Sequence, residues 1–172
     1  MQETSSKFIL VLCFVILFIL VMFAGCIISK SPADKLAEIE EKYLKNYQLA
    51  PENLSDIQAL KVELQNLEKK VNNTKLADYI KARLLVLEAK EHIINANTEM
   101  KKFRQMDIKC EEVDFKFISD EIGKAKANLE SAAELLRGYK QYSEFCNNIN
   151  SLKEALFLLI ENIKDTKMKL CK

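Results

Sequence analysis

The side chains with the most chemistry to offer in this 172-residue chain are five thiols, one imidazole and a scatter of carboxylates. His92 is the only histidine, and no Cys/His cluster or Glu-x-x-His pair supplies ligand spacing for zinc or for a di-iron bundle. The three glycines build no phosphate-cradling loop, and no serine, cysteine or lysine has a recognisable base partner. The expectation is a non-enzyme with no catalytic residue, no metal and no cofactor. Glu38, Glu40, Glu41 and groups such as Glu68 with Lys69 and Lys70 read as solvated helix faces, and His92 as a solvated or packing residue. Asn53-Leu54-Ser55 and Asn72-Asn73-Thr74 match the N-glycosylation pattern, and helix capping gives both a second explanation.

Two of the thiols, Cys13 and Cys26, belong to the one uninterrupted apolar run, Phe8 to Ile28, which holds no charged residue. As a helix the run would span about 30 Å, the thickness of a bilayer's hydrocarbon core. A polar start from Met1 to Lys7 and small residues before Cys26 give the layout of a secretory signal peptide. Phe23-Ala24-Gly25-Cys26 resembles the lipobox of lipoprotein signal peptides, in which a small pair precedes the cysteine. That resemblance, confined to residues 1 to 26, implies a diacylglycerylated Cys26 and cleavage just before it. An uncleaved single-pass anchor is the other reading, because the run exceeds the roughly 7 to 15 apolar residues of a typical signal peptide. Either tether is durable. Residues 1–29 are thus a signal peptide or membrane anchor and residues 30–172 a separate domain. A count of flanking lysines would keep the body inside the cell, but long domains translocate largely regardless of charge, and a lipobox has meaning only on an exported chain. The body is expected outside the cytoplasm.

Setting aside Glu3, Lys7 and Lys30, the 26 basic and 25 acidic residues leave 24 of each in the body. Such neutrality excludes a nucleic-acid footprint, which needs a basic excess. Two prolines, no tryptophan and a wealth of Lys, Glu, Leu and Ala favour helices. Ser31-Pro32-Ala33-Asp34 is a helix start, and its stripe, Leu36, Ile39, Tyr43, Tyr47 and Ala50, ends at Pro51. Asn53 to Asp56 repeats the capping logic before Ile57, Leu60, Leu64, Leu67 and Val71. A turn at Asn72-Asn73-Thr74 precedes a long helix to about Met106, apolar on two faces and therefore central. Ile118, Ile122, Ala125, Leu129, Ala132, Leu136 and Tyr139 then step by four and three, the heptad spacing of coiled-coil packing. Gly138 is placed to kink that helix end, and Asn147-Asn148 to turn the chain into a last helix with Leu152, Leu156, Leu159 and Ile163. The fold class expected is all-α: an up-and-down antiparallel bundle of about five helices behind an N-terminal membrane segment. No fixed-period repeat argues for a solenoid.

These helices sort the remaining thiols. Cys110 and Cys146 flank the fourth helix, roughly 45 Å apart if it is continuous, whereas a disulfide needs α-carbons within about 7 Å. The last helix returns antiparallel and brings Cys171 back toward Cys110, so a Cys110–Cys171 bridge is expected if the body is exported, with Cys146 left over. The function expected is a membrane-tethered extracytoplasmic module, held by lipid or by its apolar helix, that binds an unidentified protein or serves the cell envelope structurally. The alternative is a small-ligand-binding or sensory bundle, with Tyr79, Phe103, Tyr139 or Phe157 lining its cavity.

Overall fold

The computed structural model describes residues 30–44, 49–102, 110 and 113–171. The apolar run with Phe23, Ala24, Gly25 and Cys26, and also Tyr47, Phe103 and Met106, lie outside the described residues. The body, Pro32–Lys172, is one compact unit. It is all-helical, with five helices packed together: α1 Pro32–Tyr43, α2 Leu54–Glu68, α3 Thr74–Lys101, α4 Phe115–Leu135 and α5 Ser143–Leu170, with a 3-10 turn Lys140–Tyr142 before the last. Among the described residues no helix is long and apolar enough to cross a membrane.

Short polar side chains start three of the helices. Asn53 sits in extended backbone, where its Oδ1 accepts from the Asp56 amide and from Ser55 Oγ, both at 2.8 Å, while its Nδ2 donates to Asp56 Oδ2. Asn73 Oδ1 accepts from the Leu76 amide at 3.3 Å, and Asp114 Oδ1 from the Phe117 amide at 2.8 Å. Each bond satisfies an amide the helix cannot use internally.

The periodic stripes become the core. Ile57, Leu60 and Leu64 of α2, Ile80, Val86 and Leu87 of α3, Ile118 and Leu129 of α4, and Ile149 of α5 are fully buried. The broadest contact joins α3 and α4. Ala82, Ala89 and Ala96 on α3 and Ala125 and Ala132 on α4, all at heptad spacing, are wholly buried as well, which suits two backbones lying close together. The hydrogen bonds between them and their flanking residues run in opposite chain order: the Asp114 backbone amide donates to Glu99, His92 meets Glu121, Asn128 donates to Glu88, and Tyr139, beyond the end of α4, donates to Asp78. Each helix also packs on the next in sequence, α1 on α2, α2 on α3 and α4 on α5.

Several boundaries differ from the sequence reading. The first helix stops at Tyr43 rather than Ala50, and α2 ends at Glu68 rather than Val71. Asn147 and Asn148 are not a turn, because both lie inside α5, which begins at Ser143. The break falls earlier: α4 ends at Leu135, capped by Leu136, so Leu136 and Tyr139 lie beyond it, and Gly138 then takes a φ of 88°, a left-handed turn that costs glycine little. Phe145, Ile149 and Leu156 are buried, so the apolar stripe already runs as helix through the asparagine pair and holds it there.

Candidate functional site

Of the residues with expected chemical roles, Cys26 and the three before it are outside the described residues. Cys110 and Cys171 are brought together: a disulfide joins them, with α-carbons 5.3 Å apart. It ties Cys171, directly after α5, to the connection between α3 and α4. Cys146 stands apart, unbonded and partly buried on α5, against a cleft of about 640 Å³ with Arg137, Gly138 and Lys140. Burial pushes its thiol pKa up, which keeps it protonated and a poor nucleophile.

Two polar clusters were not singled out from the sequence. The first centres on Glu121, only 4 % exposed on the core side of α4. Its Oε2 accepts from His92 Nδ1 at 2.9 Å and Asn95 Nδ2 at 3.0 Å, both on α3, and its Oε1 accepts from Lys124 Nζ at 2.8 Å. An ionised carboxylate can only accept, so His92 carries its proton on Nδ1. Burial alone would raise the carboxyl pKa, but the hydrogen bonds from Lys124, His92 and Asn95 outweigh it and hold the group down to about 2. Glu121 is therefore a buried anion locked between α3 and α4, and His92, partly exposed, is its hydrogen-bond partner. Its signal was its position: Glu121 lies three residues after Ile118 and four before Ala125, on the stripe that reasoning credited to Ile122.

The second cluster surrounds Arg83, whose Nε donates to Glu40 Oε1 at 2.8 Å and to the Tyr79 hydroxyl at 3.0 Å, and whose Nη1 donates to the Leu49 carbonyl at 3.1 Å. Tyr79 in turn donates to Glu40 at 2.9 Å. The guanidinium lies 4.4 Å from the Phe145 ring centroid, and Tyr79 stacks on Tyr142 at 4.4 Å, so one arginine pins α1, α3 and the start of α5. Burial pushes the Tyr79 phenol pKa up and keeps it a donor. Glu40 is thus a structural ion-pair partner, against its reading as a solvated face.

Both clusters use their polar atoms to join elements of the bundle, and among the described residues no group of three metal-ligating side chains occurs. The aromatic residues proposed to line a cavity are dispersed: Tyr79 borders a cleft of about 240 Å³, Tyr139 borders the separate one beside Cys146, and Phe157 is 61 % exposed. No protein-family model, curated protein or solved structure matches the chain.

Proposed function

We propose that this chain is a membrane-tethered helical module, an up-and-down antiparallel bundle behind an N-terminal membrane segment, whose body lies outside the cytoplasm and works by binding another protein rather than by catalysis. The observation that carries the reading is the uncharged run Phe8 to Ile28 ending in the lipobox-like Phe23-Ala24-Gly25-Cys26, which supplies the tether. The Cys110–Cys171 disulfide supports the compartment, since such bonds persist in oxidising surroundings. The polar clusters support a binding or structural role, because each is consumed in joining helices. The lipid-anchored form, with Cys26 as the acylated mature N-terminus, is preferred to the uncleaved span.

Fractionation with protease protection tests the reading. The chain should sediment with membranes, and its body should be digested by protease added outside intact cells or spheroplasts. A body protected until the membrane is broken would refute the placement.

A further inference from the structure

Gly123 lies inside α4, where glycine weakens a helix relative to alanine. Local structure does not call for it: a Cβ there would meet no atom within 4 Å, and Gly138 alone among the described glycines has positive φ. The residue is also on the wall of a cleft of about 330 Å³ between the start of α4 and the end of α5. The floor of that cleft is apolar, built from Phe115, Ile122, Ile160 and Ile163, while Lys126, Lys164 and Lys167 stand along it. Among the described residues no carboxylate lines it. Lys164 and Lys126 have acidic neighbours on their own helices, Glu161 at 2.9 Å and Glu130 at 3.9 Å, but every side chain in those pairs is more than half exposed, and such pairs contribute little and exchange readily. Lys167 holds its ammonium 5.3 Å from the Phe115 ring.

The cleft is an open trough running about 16 Å, three turns, along α4 and about 10 Å, two turns, along α5. One turn before Ile160 on α5, Phe157 is 61 % exposed. A small molecule lying in it would stay largely wet, whereas ligand cavities enclose about 70–90 % of their guests. A helix laid along the trough would place its apolar stripe on the floor and its flanks against the lysines.

We propose that the trough between α4 and α5 docks an amphipathic helix of a partner protein whose apolar stripe is flanked by acidic residues, with Gly123 as the point of closest backbone approach. The proposal rests on reading the chain as a protein-binding module, and it names that module's surface and the chemistry of its partner. Glycine at position 123 then has a reason: any side chain there would stand in the path of the incoming helix.

The test uses the detergent-extracted full chain and a fluorescent designed peptide of about 20 residues, long enough to fold as a helix, with leucines at helical spacing and glutamates flanking them. A counterpart carries lysines in place of the glutamates. The glutamate peptide should bind at least about tenfold more tightly than the lysine peptide, as charge selection requires. Gly123→Leu should abolish that binding while keeping the helical circular dichroism and melting no lower than the parent, and Lys164→Glu should narrow the preference. Equal binding of both peptides, or binding untouched by Gly123→Leu, overturns the proposal. So does laurate occupying the trough when neither peptide binds, which would make it a small-ligand site. A dimer in solution that Gly123→Leu dissociates would assign the trough to a second copy and overturn it too. A protease-protected body that still bound the peptide would refute the compartment and leave the trough standing, whereas an exported body blind to the peptide would refute the trough alone.

Discussion

Glu121 keeps its charge where water scarcely reaches it, and the bonds from Lys124, His92 and Asn95 are what allow that. Its folded pKa of about 2 lies below the ordinary value of 4.5, so the stabilisation is present above the ordinary value and is lost as the pH falls toward about 2. Denaturant melts across that acid window should show declining stability, and Glu121→Gln should flatten part of the decline. At neutral pH Glu121→Ala should cost about 1–3 kcal/mol, because it removes the hydrogen bonds that His92 and Asn95 of α3 make to a charged acceptor. Arg83→Met should likewise cost about 2–3 kcal/mol in the same melts, since Glu40 and the Leu49 carbonyl lose a charged donor. Arg83→Lys should recover little of it, an ammonium being unable to reach both with one planar fork. These two residues show where single-residue reading ran out. Glu40 and Glu121 carry the same side chain as the solvated glutamates around them, and each lies at the border of an apolar stripe. Which flank of a stripe is covered depends on the neighbouring helix, and that neighbour is fixed only by the tertiary arrangement.

At the scale of the elements, helix existence was legible because apolar residues recur at three and four through every segment, and starts were legible where Asn53 and Asn73 precede them. Ends were harder. Tyr43 stops α1 although its stripe could be extended on paper to Ala50, and the chain breaks at Gly138 rather than at Asn147-Asn148. Asparagine favours turns by bonding to its own backbone, but here Asn147 lies inside a helix and its carbonyl accepts from Ser151 Oγ at 3.2 Å. Glycine in left-handed backbone is the firmer signal, because other residues pay roughly 1–2 kcal/mol to adopt it. Gly138→Ala should therefore lower stability by about that amount through strain alone, since a Cβ there meets nothing within 4 Å. Asn53→Ala should cost about 1 kcal/mol by removing the α2 cap. The Asn53 side chain works as a cap in both directions, its Oδ1 accepting from the Asp56 amide and its Nδ2 donating to Asp56 Oδ2.

For the whole molecule, the disulfide between Cys110 and Cys171 spans 61 residues of sequence and closes α4 and α5 into one loop. Beyond Leu156 no described apolar residue of α5 is fully buried, Leu159, Ile160 and Ile163 being partly so, so the bond matters most for that end. Replacing both cysteines with serine should lower stability by about 4 kcal/mol in the chain-entropy treatment, and hydrogen exchange should quicken first after Leu156. The pairing could be reasoned from sequence because helix lengths alone separate Cys110 from Cys146. The trough beside Gly123 could not, since it depends on the way α5 lies against α4. Export and disulfide chemistry both depend on the tether. Intact mass and N-terminal mapping of the protein extracted from membranes should find a chain beginning at an acylated Cys26; a chain beginning at Met1 with an unmodified Cys26 would refute the lipid anchor.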